Sequence, residues 1–385
     1  MVEEERSLRS NHLNSLLQVA VINTLASGAG VSKAERLSDL VARLNSMGEA
    51  HLDSKQFSSA VDCFESALYL DPENRQAHMG RSRAMCTIIP RWHFEMLNDE
   101  QRNEAFERAL AKVITADSLV LDIGSGTGLL AMMAARAGAR ETFSCEMVAP
   151  LADLAREVVA RNGFADEIRI MGKKSTDLSV GDDMPERANL LVTETVDCGL
   201  LGEGIVPSIT HARANLLTED ARIIPRSAAV YAMVVESKRL RGLNYVNRCA
   251  GFDVGLIQQY KTLNYFPVRL AAFEYEALTE PFEVFRFDFA RELIRPAHKK
   301  FAVPVTRDGA CHAVVFWFDM QLDEEISISN EPGSTTHWEQ AVQCLEHELT
   351  VRAGETIQVG AEHDCCSIVF DQPTSASSSE AVRAG

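Results

Sequence analysis

The 385-residue sequence lacks the features of a membrane or secreted protein. No apolar run approaches the roughly 18 residues that span a bilayer, so we expect no transmembrane helix and no membrane partner. The acidic residues 1–5 include no basic stretch, so we expect no secretory signal. The nine cysteines show no CxxC spacing, and only Cys365 and Cys366 are adjacent. We therefore expect reduced thiols, a cytoplasmic or nuclear location and no metal site.

Positive charge is also scarce, with 38 Lys and Arg against 55 Asp and Glu, which gives a formal net charge of −17. A surface of this sign repels nucleic acid backbones, so we expect no direct nucleic-acid binding. It favours cationic partners, and a basic protein segment would suit it. The hydrophobic content of 46% is that of a globular protein, and the length allows two or three domains.

The most informative stretch is VLDIGSGTGLL at residues 120–130, where an apolar strand leads into an Ala- and Met-rich helix. Three glycines stand at alternate positions, namely Gly124, Gly126 and Gly128. The pattern predicts a turn where a nucleoside cofactor lies against bare backbone, and a βα turn without a ligand is the alternative. Glu146 ends the next apolar stretch, where it could bind ribose hydroxyls. Leu129 replaces the third glycine of a dinucleotide fingerprint, so the spacing favours S-adenosylmethionine over NAD.

Residues 1–90 have a helical pattern, and the segment 44–72 follows tetratricopeptide (TPR) spacing. We expect helices to approach closely at Gly48 and Ala60, and a further capping helix over residues 75–87. Residues 7–40 are also helical in pattern, with a break near residues 27–30. We predict an α-helical TPR-like module that packs on the following domain or binds a protein partner. A plain helical hairpin without a partner is the alternative.

Residues 91–225 alternate apolar strands with helices, which predicts a doubly wound, Rossmann-like α/β domain with a parallel sheet. The strands are expected near residues 119–123, 142–146, 167–171, 188–193 and 221–224. A ligand should then lie at the carboxyl ends of these strands. Residues 226–370 show β-type runs that predict an antiparallel sheet or β-barrel domain, interrupted by a helix near residues 251–266. We expect residues 371–385 to be a disordered tail.

A second motif follows the fourth predicted strand, where Glu194 and Glu203 lie nine residues apart in a glycine-rich loop. Residues 189–192 read as a buried strand, so Glu194 should emerge at the carboxyl end of the sheet beside the cofactor. The loop glycines should let the loop fold back on itself. Two facing carboxylates would clamp a guanidinium, whose planar donors suit bidentate pairing. A solvated acidic loop is the alternative.

With these motifs the chain resembles the protein arginine methyltransferase family. The glycine turn, Glu146 and the double-glutamate loop match the family, as do the segment at residues 92–102 and the Thr-His-Trp sequence at residues 336–338. The resemblance covers roughly residues 40–360. The sequence at residues 192–206 is closest to members that carry TPR repeats before the catalytic region. The resemblance implies S-adenosylmethionine as cofactor, arginine-containing protein substrates and a homodimer formed through the insert near residues 251–266.

The resemblance also implies roles for individual residues. On the cofactor side, Arg102 would pair with the methionine carboxylate and His93 would lie along the same molecule. The floor under its amino-acid end would be formed by Asp122, Gly124 and Gly126, the ribose contact by Glu146, and the adenine contacts by Lys174 and Ser175. On the substrate side, Glu194 and Glu203 would hold the arginine, and His337 would pair with Asp99. Met96 and Trp338 would line the arginine pocket.

Three departures from the family pattern accompany these matches. Residues 86–91 replace an aromatic pair, Ser175 and Thr176 stand where some members have a glutamate, and Ile205 stands where enzymes with asymmetric product often have methionine. The resemblance implies symmetric dimethylarginine as product. Two rival functions stay open, a methyltransferase acting on another substrate and a catalytically weak scaffold that binds protein partners. The group that accepts the proton, Glu203 or the Asp99–His337 pair, is also open.

Overall fold

The structure is a computed structural model that describes residues 32–375. The packing of the chain divides these into two compact units, one with residues 32–94 and 148–165 and the other with residues 95–147 and 166–375. The predicted domain boundaries stay predictions. Most of the predicted helical pattern over residues 7–40, and most of the predicted tail, lie outside the described residues.

The first unit contains helices α1 (Lys33–Asp53), α2 (Phe57–Leu70), α3 (Arg75–Ile88) and α7 (Ala149–Arg161). The apolar cluster of α1, α2 and α3 includes the ring of Phe64, which is fully buried between α1 and α3. A Cβ at Gly48 would lie 2.6 Å from that ring, and a Cβ at Gly80 would lie 2.3 Å from it. The predicted close approach at Gly48 and the predicted helix over residues 75–87 are therefore confirmed.

The second unit contains α5 (Glu100–Val113), which follows α4 (Trp92–Leu97), and a parallel sheet with the strand order β3-β2-β1-β4-β5. Its strands are β1 (Leu119–Ile123), β2 (Glu141–Cys145), β3 (Ile168–Met171), β4 (Ala188–Thr193) and β5 (Leu217–Ile224). Helices α6 (Leu129–Arg136) and α8 (Ile205–Asn215) belong to the same unit. All five predicted strands and their parallel pairing are confirmed.

Antiparallel strands follow β5. The larger sheet contains β6 (Ser227–Glu236), β9 (Phe266–Val268), β10 (Glu276–Ala277), β11 (Phe282–Asp288), β13 (Gly309–Gln321), β14 (Ser327–Ser329) and β15 (Gln340–Val351). The smaller contains β12 (Ala297–Pro304), β16 (Thr356–His363), β17 (Ile368–Phe370) and β18 (Thr374–Ser375). The predicted antiparallel pairing is confirmed, and closure into a barrel stays a prediction.

The insert near residues 251–266 differs from the predicted helix. After a small hairpin of β7 (Arg248–Cys249) and β8 (Phe252–Asp253), the chain forms only a 3₁₀-helix at Gly255–Tyr260. Gly251 is left-handed with φ 89°, and the carboxylate of Asp253 accepts the amide hydrogen of Gly255 at 2.9 Å. A side-chain hydrogen bond of this kind competes with the backbone hydrogen bonds that start an α-helix, so only the short 3₁₀-helix forms.

The predicted tail is corrected at its start, because Thr374 and Ser375 pair with Gln358 and Ile357 as the short strand β18.

Apolar side chains form one continuous core through the second unit, from Leu121 and Leu191 in the parallel sheet to Phe287 and Phe316 in the larger antiparallel sheet. This shared core ties the two sheet systems together. Among residues 32–375, no helix has the length and apolarity to cross a bilayer.

Candidate active site

Four parallel strands end at the same edge of the sheet. The register aligns Ile123 with Cys145 and Thr193, and it aligns Cys145 with Met171. Each strand end is followed directly or closely by candidate site residues, namely the glycine turn (residues 124–128), Glu146, Lys174 with Ser175, and the double-glutamate loop (residues 194–203). The topology therefore gathers most of the predicted site at one edge.

The glycine turn needs its glycines. Gly124, Gly126 and Gly128 have φ values of 89°, 53° and 82°, which side chains rarely adopt. A Cβ at Gly124 would also lie 2.7 Å from the methyl group of Thr195, so the turn touches the start of the double-glutamate loop. Nothing lies within 4 Å of a Cβ built at Gly126, which leaves open space over the turn.

Asp122 lies fully buried beneath this turn. Its Oδ2 accepts a hydrogen bond of 2.6 Å from Ser144, and its Oδ1 has no partner among the described residues. Burial, with a smaller contribution from the charge of Glu146, raises the pKa of Asp122 to about 7. The site therefore holds a carboxyl that titrates near neutral pH.

Glu146 is buried and its Oε2 accepts the amide hydrogen of Gly126 at 3.1 Å, so the predicted ribose acid is joined to the glycine turn. Ser175 is buried at the start of a 3₁₀-helix (Ser175–Asp177), and Lys174 before it is exposed. Met96 is half-buried on α4. His93 belongs to the first unit, where its ring stacks on Trp92 with centroids 3.8 Å apart.

Arg102 and Glu194 form an ion pair that the sequence did not predict. Arg102 Nη2 donates to Glu194 Oε2 at 2.5 Å, and the two side chains are only 4% and 5% exposed. Nη1 donates to Asn103 at 2.7 Å, whereas the buried Nε has no partner among residues 32–375. The arginine therefore links the start of α5 to the double-glutamate loop, and its Nε–H remains an unused donor.

The double-glutamate loop is folded back around Asp197. One carboxylate oxygen of Asp197 accepts the amide hydrogen of Gly202 at 2.8 Å, and the other accepts the hydroxyl of Tyr265 at 2.7 Å. A Cβ at Gly202 would lie 2.4 Å from this carboxylate, and a Cβ at Gly199 would lie 2.6 Å from the Tyr265 ring. The predicted need for glycines in this loop is confirmed at these two positions.

Two further anchors of this loop come from the antiparallel region. The indole of Trp338 is 5% exposed and donates to the carbonyl oxygen of Val196 at 3.1 Å. The amide of Asn330 donates to the carbonyl oxygens of Cys198 at 3.0 Å and Glu339 at 2.7 Å. Trp338 thus holds the backbone of the double-glutamate loop through Val196. Its predicted contact with a substrate arginine stays a prediction.

Glu203 is the exposed acid of the pair, and no hydrogen bond from residues 32–375 engages its carboxyl group. Although part of the residue is exposed, the protein around the carboxyl group partly desolvates it, and this desolvation, followed by repulsion from Glu194 and Asp197, raises its pKa to about 7. The influence of Glu194 places both acids within electrostatic range of each other. A cation bound between them would relieve this repulsion.

His337 and Asp99 form the predicted pair. Asp99 Oδ2 accepts from the backbone N–H of His337 at 2.7 Å and from its Nδ1 at 2.9 Å. Asp99 also caps α5 by accepting the amide hydrogen of Arg102 at 2.9 Å. Burial raises the pKa of Asp99, but the hydrogen bonds from His337 and Arg102 outweigh it and lower the pKa below its ordinary value. The ionised acid therefore holds His337 with Nδ1 as the donor.

Sequence reasoning missed four residues that hold the loops of the site, namely Asp197, Tyr265, Asn330 and Arg269, whose guanidinium donates to the carbonyl oxygens of Thr336 and His337. Asp197 had a local signal, since it lies within the glycine-rich loop. Tyr265 is 68 residues from its partner in the loop, and Asn330 is 132 residues from Cys198. No local pattern announces contacts of that range.

The residues at the strand edge fit a nucleoside cofactor with a charged amino-acid end. Open space over Gly126 leaves room for a ligand, and the unused donor of Arg102 could serve a carboxylate. Glu146 stands at the end of β2, where an acid can meet ribose hydroxyls. Within residues 32–375, no group of three His, Cys, Asp or Glu side chains is placed to hold a metal ion.

Comparison with known proteins agrees with this geometry. The family model of the arginine methyltransferase oligomerization subdomain matches residues 226–365, and that of ribosomal protein L11 methyltransferase matches residues 107–196. A structure titled Trypanosoma brucei PRMT1 enzyme-prozyme heterotetrameric complex with AdoHcy aligns with a TM-score of 0.61 and 26% identity, over 70% of this chain and 86% of that one.

Curated relatives extend the match along the chain. An arginine N(omega)-methyltransferase of Streptomyces achromogenes subsp. streptozoticus is 43% identical, over 70% of this chain and 75% of that protein. Protein arginine N-methyltransferase 9 of Xenopus laevis is 36% identical over 86% of this chain, and the human protein is 37% identical over 84%. The aligned part spans only 44% and 42% of those two proteins. The chain belongs to the protein arginine methyltransferase family, whose cofactor is S-adenosylmethionine.

Proposed function

We propose that this chain transfers a methyl group from S-adenosylmethionine to a guanidino nitrogen of arginine in protein substrates. The observation that carries this proposal is the fold of the double-glutamate loop, which starts in contact with the glycine turn and then folds back around Asp197 between Glu194 and Glu203. Two carboxylates at such a site suit a planar cation with several donors. A neutral substrate would not need them.

The two acids would divide the work of binding. Glu194 already receives Arg102 on one oxygen, so its other oxygen is the one to meet a substrate. Glu203 is exposed and would contribute both oxygens. Together they would fix the guanidinium plane and leave one terminal nitrogen aimed over the glycine turn, where the cofactor supplies an electrophilic methyl group. Alignment of this kind can contribute roughly 7–11 kcal/mol to a reaction barrier.

The same carboxylates would stabilise the positive charge that develops on the substrate during transfer. A proton must then leave the methylated nitrogen. With a pKa of about 7, Glu203 is suited to accept it near neutral pH. Asp99 is less suited, because its lowered pKa and its two hydrogen bonds from His337 keep it occupied as an acceptor.

Incubation with tritiated S-adenosylmethionine and an arginine-rich peptide tests this function. We expect label on the peptide and none on a matched peptide with every arginine replaced by lysine. Glu203→Gln should lose transfer, because the clamp then lacks its second charge. Equal labelling of the lysine peptide would contradict the proposed substrate, and cofactor binding without any transfer would favour the scaffold alternative.

A second candidate substrate is free arginine. The relative with 43% identity is named an arginine N(omega)-methyltransferase, and that name does not mention protein. The same clamp would fit the guanidinium of either substrate. A second arm of the labelling experiment with free arginine separates the two, since a protein-directed enzyme should prefer the peptide by its kcat/KM.

Symmetric dimethylarginine is the product we propose, because the matched relatives include protein arginine N-methyltransferase 9 and Ile205 replaces a methionine that often accompanies asymmetric product. Fragmentation of a methylated peptide by mass spectrometry distinguishes the isomers by their neutral losses. The neutral loss that identifies asymmetric dimethylarginine would contradict this part of the proposal.

We also propose a homodimer built on the apolar segment, defined as residues 243–263. Its most exposed apolar side chains are Phe252, Leu256, Tyr260 and Leu263, at 72–86% exposure. Contiguous exposed apolar side chains of this kind mark interaction surfaces. Light scattering should give twice the 42.4 kDa chain mass, and Leu256→Glu should give the monomer. Leu293→Glu is the matched control, since Leu293 is 61% exposed outside the segment and its variant should remain dimeric.

The helical module (residues 33–88) is proposed to be TPR-like and to bind a protein partner. The support is the wedge of Phe64 between Gly48 and Gly80, which permits the close helix approach of such hairpins. Gly80→Ala should lower the melting temperature of the chain, whereas Ser82→Ala on the exposed side of α3 should not.

We also propose a cytoplasmic or nuclear location, which the nine free thiols support.

A further inference from the structure

The short strand β9 is flanked by two residues that each grip a different loop of the site. Before it, the Tyr265 hydroxyl donates to Asp197 of the double-glutamate loop at 2.7 Å. After it, Arg269 donates from Nη1 to the carbonyl oxygen of Thr336 and from Nη2 to that of His337, both at 3.1 Å. Five residues of sequence therefore reach both loops that carry the acids and the histidine.

Tyr265 is held so that its hydroxyl has one direction. Its ring packs edge-on against Phe316, with centroids 5.0 Å apart and planes at 83°. The ring also closes on Gly199, where a Cβ would lie 2.6 Å away. Desolvation by burial, followed by the charge of Asp197, raises the pKa of Tyr265, so the hydroxyl stays protonated as a donor.

The contact continues to the acid that we propose for catalysis. The second oxygen of Asp197 accepts the amide hydrogen of Gly202 at 2.8 Å, and Gly202 directly precedes Glu203. The position of the Glu203 backbone therefore depends on Asp197, and the orientation of Asp197 depends on the Tyr265 hydroxyl. Tyr265 itself makes no contact with Glu203 that would bring it into the reaction.

Arg269 has the matching function at the Thr-His-Trp loop (residues 336–338). Two adjacent carbonyl oxygens receive its two terminal nitrogens, a fork geometry that lysine cannot reproduce. The His337 unit is thus held on one side by Arg269 and on the other by Asp99, which accepts its N–H at 2.7 Å. This fixes the backbone on which the His337 ring is mounted.

Strand β9, which lies between Tyr265 and Arg269, is itself fixed by its neighbour β15. Strand β9 pairs with β15 through Val268 opposite Gln340 and Phe266 opposite Val342. The side chain of Gln340 also accepts the amide hydrogen of Leu270 at 3.0 Å. Because β15 starts two residues after Trp338, it anchors both β9 and the Thr-His-Trp loop.

We propose that Tyr265 and Arg269 are positioning residues for methyl transfer, which together set the double-glutamate loop and the Thr-His-Trp loop relative to each other. This inference rests on the proposed function of the site. Neither residue is assigned a contact with the substrate or the cofactor. Their effect passes through Asp197 and Gly202 in one case and through the carbonyls of Thr336 and His337 in the other.

The kinetic test uses Tyr265→Phe and Arg269→Lys in the full chain, with Tyr275→Phe as the matched control. Tyr275 packs against a separate apolar cluster that includes Val235 and Val315, and it is likewise only partly buried. Each positioning variant should lower kcat about tenfold, which is the size of one well-placed hydrogen bond, and change cofactor affinity less than about twofold. The control should match the wild-type protein. Unchanged kcat in both variants, or a parallel loss of kcat, cofactor binding and melting temperature, would overturn the proposal.

A pH profile adds a readout that a general loss of stability would not move. Without the hydroxyl, the charge of Asp197 is less neutralised and repels the Glu203 carboxylate more strongly. The acidic limb of kcat/KM should therefore move to higher pH in Tyr265→Phe and stay in place in Arg269→Lys. An unmoved limb in Tyr265→Phe would contradict the route through Asp197.

Hydrogen exchange measured by mass spectrometry separates this inference from the proposed function. Tyr265→Phe should speed exchange of the Gly202 amide, which donates to Asp197, and the control variant should not. This result is expected whether or not arginine proves to be the substrate. Unchanged exchange would overturn the positioning role, and absent methyl transfer by the wild-type chain would overturn the proposed function instead.

Discussion

Protonation of Glu203 should reduce kcat/KM for arginine about tenfold between about pH 8 and about pH 6. The structure raises the pKa of this carboxyl from 4.5 to about 7 through desolvation and the charges of Glu194 and Asp197. About nine-tenths of the group is then ionised at pH 8 and about one-tenth at pH 6. Only the ionised form can pair with the guanidinium, so activity is present above this pKa and is lost as the pH falls through it. With the ordinary value of 4.5, activity would hardly change over this range.

Initial rates at low substrate concentration with labelled cofactor measure this limb, because kcat/KM reports groups of the free enzyme. A bound guanidinium favours the carboxylate and lowers its pKa, so the limb in kcat should lie at lower pH than the limb in kcat/KM. Asp122 also titrates at about 7, and Asp122→Asn should retain the limb if Glu203 is responsible. A flat profile between the two pH values, or the same limb in any residual activity of Glu203→Gln, would show that Glu203 is not the group that titrates.

Three further predictions concern the cofactor side of the site. Glu194→Gln should weaken methyl transfer and cofactor binding together, because it removes the charge that pairs with the buried Arg102, and a calorimetric titration with unchanged affinity would contradict this. Gly124→Ala should weaken cofactor binding, since the residue has φ 89° and its Cβ would meet Thr195; wild-type affinity in the same titration would count against it. Asp122→Asn should raise the free energy of unfolding at pH 8 and change it little at pH 4. The pKa of Asp122 is raised from 3.8 to about 7, so ionisation of this buried acid destabilises the folded wild-type chain increasingly as the pH rises. Urea unfolding at the two pH values should show a gain of at most about 4 kcal/mol at pH 8. Equal effects at both pH values would contradict this last prediction.

The sequence predicted the parallel sheet well because its signals are local. A strand such as Leu119–Ile123 is a short apolar run that ends at glycines, and the alternation with helices leaves few topologies. The register then brings the strand ends together, so Glu146 and Glu194 could be placed at one edge before any coordinates. The helix predicted near residues 251–266 was wrong because the local signals there conflict. The turn at Asp253 competes with a weak helical pattern.

The contacts inside the site were harder to predict, because they join distant parts of the chain. The pairing of His337 with Asp99 came from the resemblance to a family and not from spacing, as 238 residues separate the two. No local pattern indicates the pairing of Arg102 with Glu194, because 92 residues separate the two. Residue type and position in the chain indicated which groups matter, whereas long-range packing decides which groups meet.

A crystal structure of the chain with S-adenosylhomocysteine and an arginine peptide is the decisive experiment for the clamp formed by Glu194 and Glu203. The account predicts that the guanidinium lies between Glu194 and Glu203, with nitrogen-to-oxygen distances of about 3 Å to both carboxylates. Its remaining nitrogen should face the sulfur of the cofactor above the glycine turn. An arginine bound elsewhere, or one that contacts neither acid while the cofactor is in place, would contradict it.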